Sequence, residues 1–137
     1  MDFPKILHCI VCEDVRREVG RKASLMGFYG IIPYVSLLLL RPDLPLRQLG
    51  FLFVFDKATE NLAVSFRIRN PEGETLAELP ESEVSFPEHG KRSQLFVVFQ
   101  NLTFPTFGNY SVDLISEKQI QFRGNFEVMR GTPKDFA

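Results

Sequence analysis

Asn61-Leu62-Ala63-Val64-Ser65-Phe66-Arg67-Ile68-Arg69 alternates without a break. Leu62, Val64, Phe66 and Ile68 fall on one side, and Ala63, Ser65, Arg67 and Arg69 on the other. A period of two places successive side chains on opposite faces of a strand, and no helix can sort them this way. The same reading holds for Gln119–Met129. There Ile120, Phe122, Phe126 and Val128 face inward, against Gln119, Gln121, Arg123, Asn125 and Glu127. Tyr110, Val112 and Leu114 alternate likewise with Ser111 and Asp113. Each stretch has the pattern of a strand with one face on a core and one in water, the mark of an antiparallel sheet.

Working outward, turn chemistry separates such stretches. Asn70-Pro71-Glu72-Gly73 supplies a preset φ and a left-handed position. Val19-Gly20-Arg21, Ser116-Glu117-Lys118 and His89-Gly90 mark further connections. Strands are expected near 5–15, 22–30, 34–40, 49–56, 61–69, 74–79, 83–86, 93–101, 109–115 and 119–129, about eight to ten in all. The short gaps leave no room for the helical crossovers of a parallel sheet. The fold class is all-β, an antiparallel β-sandwich. The best helical candidate is a turn or two at Leu44–Leu49, after Pro42 and Pro45.

Phe107-Gly108-Asn109-Tyr110-Ser111-Val112 sharpens the topology. In immunoglobulin-like sandwiches a Tyr so placed bonds backbone a few residues upstream, two positions before the domain cysteine. Val112 stands at that cysteine position, and the chain has no Trp. Two readings stand: a tyrosine corner, or an ordinary core Tyr at a strand start. The architecture is read as immunoglobulin-like in broad topology only.

The chain has 137 residues, 45% of them apolar, and a formal net charge of −1. That suits one domain with its own core, and neither a disordered segment nor a strongly basic nucleic-acid binder. Residues 1–130 form the expected sandwich and 131–137 a loose tail. The N-terminal apolar stretch is broken by His8 and ends in Glu13-Asp14, unlike a signal peptide. The apolar run Gly30–Leu40 is too short to span a membrane and contains Pro33. Cys9 and Cys12, three apart on a strand, diverge to opposite faces, which argues against a mutual disulfide. Free thiols fit a reducing compartment, so a cytoplasmic protein is expected.

Few constellations suggest chemistry. His8, Cys9, Cys12 and His89 lack the two converging pairs of a zinc site, so neither metal nor cofactor is expected. There is no phosphate loop, HExxH or GxSxG. Glu72, Glu74, Glu78, Glu81, Glu83 and Glu88 read as a solvated rim. Arg67, Arg69 and Arg123 face outward as a solvated stripe. A nucleic-acid platform would need exposed aromatics beside them, and Phe66 and Phe122 have the opposite parity.

The least generic segment runs from Cys12 to Lys22. Asp14, Arg16 and Glu18 share the face of Ile10 and Cys12, so a core-facing row turns charged, which requires a rim or a bulge. With Lys22 they are read as a compact ion network, either pinning the hairpin or forming a polar binding site. The segment resembles a family of uncharacterised bacterial and phage proteins whose N-terminal hairpin reads C-x-D-x-R-x-E…K-x-x-L-x-G-x-Y. Cys12, Asp14, Arg16, Glu18, Lys22, Leu25, Gly27 and Tyr29 carry the resemblance. It implies a small cytoplasmic β-sandwich and supplies no activity.

The chain is therefore read as a non-catalytic binding or assembly module. A small enzyme with a polar site at the N-terminal hairpin and a phage-related structural component are the alternatives. A homo-oligomer, most simply a two-fold dimer, is expected. Ile6–Cys12 (apart from His8), Leu37–Leu40, Phe51–Phe55 and Leu95–Phe99 are apolar on both parities, leaving Leu38, Leu52, Val54, Phe96 and Val98 in need of cover.

Overall fold

The computed structural model describes residues 3–19, 22–57, 61–84 and 93–136, apart from the side chains of Arg17, Lys22 and Ala23. Among the described residues nine strands follow one another: β1 (Ile6–Glu18), β2 (Lys22–Ile31), β3 (Tyr34–Leu39), β4 (Leu46–Phe55), β5 (Leu62–Arg69), β6 (Thr75–Val84), β7 (Ser93–Leu102), β8 (Gly108–Ser116) and β9 (Gln119–Arg130). Their lateral order is β6-β5-β8-β9-β3-β2-β1-β4-β7. Phe51 on β4 and Phe66 on β5 lie far apart in that order, yet their rings are 5.1 Å apart. The sheet is thus folded over on itself. β6-β5-β8-β9 forms one layer, β2-β1-β4-β7 the other, and β3 joins them. The protein is an all-β sandwich.

The alternation of Leu62–Arg69 becomes the burial pattern of β5, with Leu62, Val64, Phe66 and Ile68 all buried. Between the layers lies an aromatic core. Phe51 meets Phe66, Phe99 and Phe126, and Phe53 meets Phe66 and Phe122. Rings offset or edge-on at these distances add attraction beyond the apolar area they hide.

β5, β8 and β9 lie side by side as the C, F and G strands of an immunoglobulin-like layer do. Tyr110, near the start of β8, is fully buried, and its hydroxyl donates to the Thr106 carbonyl at 2.8 Å. This is the tyrosine-corner geometry, reached without the domain's disulfide or tryptophan. Tyr110→Phe keeps the ring and loses that bond. A loss of about 0.5–1.5 kcal/mol is expected, read as a lower denaturant midpoint; an unchanged midpoint would show that the bond contributes nothing.

Three local expectations change. The segment read as a helical turn at Leu44–Leu49 instead starts β4, where Leu46 pairs with Leu102 of β7. Ladder pairing overrides what two prolines suggest locally. The two strands expected at 74–79 and 83–86 are one, β6, running through Pro80. Pro80 is tolerated because β6 is an edge strand and the register slips there, between Val64 and Phe66 of β5. Ile120, read as inward, is 44% exposed beside the β8–β9 turn. The pair β3–β9 is parallel, its long crossover being the whole of β4 to β8. Within the tail, Pro133–Phe136 forms a 3-10 turn.

Candidate functional site

The N-terminal hairpin outruns its sheet. β1 pairs with β4 only from Ile6 to Cys12, whereas its pairing with β2 continues to Glu18. Asp14, Arg16 and Glu18 project from one face of this ribbon and are exposed. Asp14 Oδ1 accepts the Val15 backbone N–H, and Glu18 Oε1 accepts the Ser24 hydroxyl at 3.3 Å. Among the described side chains, Asp14, Arg16 and Glu18 form no ion pair with one another. Lys22 faces Glu18 in register, while its side chain lies outside the described residues.

The register shift between Val11 and Cys12 leaves Tyr29 as the extra residue of β2, between Phe28 opposite Cys12 and Gly30 opposite Val11. Gly27 takes φ +61°, and the Glu13 side chain lies where a Cβ would stand. The Tyr29 hydroxyl reaches the Glu13 carboxylate at 3.5 Å. Burial, then the charge of Glu13 and this bond, push the phenol up.

Cys9 and Cys12 are both free and buried. Burial pushes both thiols up, and the Asp14 charge adds to the effect at Cys12. Since the thiolate is the reactive form, a disulfide-type thiol reagent is expected to titrate both rapidly only after denaturation. Rapid reaction of either in the native protein would contradict this burial. Among the described residues no group of three His, Cys, Asp or Glu is arranged to hold a metal ion. His89 lies outside the described residues.

The outer face of the β2-β1-β4-β7 layer is apolar across four strands. Ile31, Ile10, Leu52 and Phe96 stand opposite one another in one row, and Phe28, Cys12, Gly50 and Val98 in the next. The Phe96 ring lies across Gly50, where a Cβ would come within 2.4 Å of it. Phe28 is 58% exposed. His8 and Gln94 border the face at one end, and Asp14, Gln48 and Gln100 at the other. Leu52 is covered by its neighbours. Leu38, by contrast, lies outside this face, on β3 beside Met129.

The opposite outer face, on β5-β8-β9, holds what the sequence did not reveal. Asp113 points outward by parity yet is fully buried, because three arginines close over it. Arg67 Nε lies 2.7 Å from Oδ2, Arg69 Nε 3.2 Å from Oδ2, and Arg123 Nε 2.7 Å from Oδ1. Arg123 Nη2 adds a second bond at 3.2 Å. The solvated stripe expected of these arginines is instead a closed ion cluster. Burial pushes the Asp113 carboxyl up, but bonds from Arg123 and Arg67 and the charges of Arg123 and Arg69 hold it below its ordinary value. The bond to Asp113 pushes Arg123 up. A small hollow of about 40 Å3 between β5, β6 and β7 is lined by Val64, Phe66, Leu79 and Val97, with no titratable side chain on it.

A family model described as "Family of unknown function (DUF6941)" matches residues 7–129. No curated protein matches. Among solved structures, an immunoglobulin-like protein from Pseudomonas aeruginosa is similar at 10% identity over 94% of each chain, with a TM-score of 0.37.

Proposed function

The chain belongs to this family of unknown function, and on that premise we propose that it is a non-catalytic assembly module that pairs with a second copy of itself. The observation that carries this reading is the apolar outer face of β2-β1-β4-β7. A patch of this kind inside a polar border is typical of a contact surface. Two features fit a second copy as its occupant. The net charge of −1 leaves little repulsion between copies. Asp14 and Arg16 sit together beyond one end of the face, exposed and unpaired with each other, so this border offers a second copy charges of both signs. Among the described residues no helix is long and apolar enough to cross a membrane. A reducing, cytoplasmic setting is part of the proposal, since it keeps the two thiols free.

Size-exclusion chromatography with light scattering tests it. A mass of two chains of 15.7 kDa is expected at micromolar concentration, and Phe96→Glu should halve it without lowering the melting temperature of the resulting monomer by more than a few degrees. A wild-type mass of one chain overturns the proposal. So does a dimer that neither Phe96→Glu nor Phe28→Glu weakens.

A further inference from the structure

The arginine cluster leaves donors unused, on the face opposite the proposed dimer contact. Arg67 and Arg69 each touch Asp113 through Nε alone. Their Nη groups have no hydrogen-bond acceptor in the protein among the described residues. Arg69 Nε is buried and makes no hydrogen bond of acceptable geometry, holding Asp113 by charge only. Three guanidinium groups stand around one carboxylate, so the cluster keeps a surplus of two positive charges. Asp113 fixes them from beneath, and all three arise from strands rather than loops. Such donors lose little freedom when a ligand arrives.

We infer that this face binds a compact dianionic oxyanion of the phosphate class, as free phosphate or as a phosphate monoester, on the Nη edges of Arg67 and Arg69 beside Arg123. The strand register builds the platform. Arg67, Asp113 and Arg123 form one row across β5, β8 and β9, and Arg69, Ser111 and Asn125 form the next. Ser111 and Asn125 add neutral donors next to the guanidinium forks, which match phosphate oxygens in pairs. The surplus positive charge of the cluster is about equal in size and opposite in sign to that of a phosphate monoester near neutral pH. An extended polyanion is disfavoured. Glu78 and Glu83 share this face on the neighbouring β6, and Phe66, the aromatic side chain nearest in register, is buried on the opposite face. Glu78 is exposed and opposite Arg67, so it is the group a ligand must displace or avoid.

Isothermal titration of the full chain with sodium phosphate, O-phosphoserine and acetate tests the inference. Phosphate or O-phosphoserine should bind one per chain, at least about tenfold more tightly than acetate, and weaken as salt rises. The tighter of the two phosphate ligands identifies the source. Arg69→Gln should weaken binding by about tenfold or more. Should that variant fail to fold, Ser111→Glu keeps all three arginines and places a competing carboxylate beside them. It should abolish phosphate binding while retaining the wild-type thermal transition. No heat at about 10 mM phosphate, equal affinity for acetate, or undiminished binding by folded Arg69→Gln or Ser111→Glu overturns the inference. Phe96→Glu should bind phosphate like the wild type, which separates this result from the fate of the dimer.

Discussion

Phe51→Ala is expected to cost about 3–5 kcal/mol of folding stability. Phe51 is wholly buried at the centre of the aromatic core. Its ring lies 5.1 Å from Phe66, 6.4 Å from Phe99 and 6.0 Å from Phe126. Those neighbours belong to three different strands and both layers, each held in place by its own ladder. They cannot close around the void, so the cavity adds to the lost burial. Against a total of roughly 5–15 kcal/mol for a domain of this kind, one side chain removes a large share. Denaturant titration of the two proteins gives the difference directly. Phe136→Ala, at a ring 52% exposed, serves as the control and should change stability by less than about 1 kcal/mol. A Phe51→Ala loss no larger than the control's would mean that the two layers can repack freely.

Asp113→Asn should have the second largest effect, a loss of roughly 2–4 kcal/mol at neutral pH. It removes the only negative charge within the cluster and leaves three guanidinium groups repelling one another. The loss is smaller than for a fully buried pair because the arginine side chains remain 23–45% exposed and water screens them. Its pH dependence has a definite sign. The folded carboxyl titrates below its ordinary value of 3.8. Its stabilisation is therefore complete above that value and disappears as pH falls through the folded pKa. Thermal melts of wild type and variant should differ by a constant amount from pH 7 down to about pH 4, then converge. A gap that widens in acid, or no gap at neutral pH, would show that Asp113 is not held as described.

The strands were legible because each needs only its own alternation, and β5, β8 and β9 stand where their apolar parity puts them. The Asp113 cluster was hidden for a reason of register. Arg67, Asp113 and Arg123 each read as an outward polar residue, and only the pairing Arg67↔Asp113↔Arg123 brings them into one row. Placing β8 between β5 and β9 from sequence would have exposed it. β4 misled in the opposite way. Its start at Leu46 depends on a partner in β7, more than forty residues on, which no local rule senses. The apolar double parity of β4 and β7 was informative, since both faces of these strands carry apolar side chains. Part of that surface is nonetheless covered within one chain, as Leu52 shows by being 5% exposed.

The parallel contact of β3 with β9 also sets a schedule. Ser36–Leu39 must wait for Glu127–Arg130 of β9, which comes after the eight other described strands in chain order. Until then β3 offers an unpaired edge, and the layer that β9 completes lacks its bridge to the first. Long-range pairings of this kind slow folding, because a large loop must close before they contribute. Open edges in a nascent chain are where a neighbouring chain can add itself. Aggregation during synthesis should therefore depend more on substitutions in Glu127–Arg130 than on equal changes in β6, whose pairing with β5 is local and whose glutamates guard its outer edge.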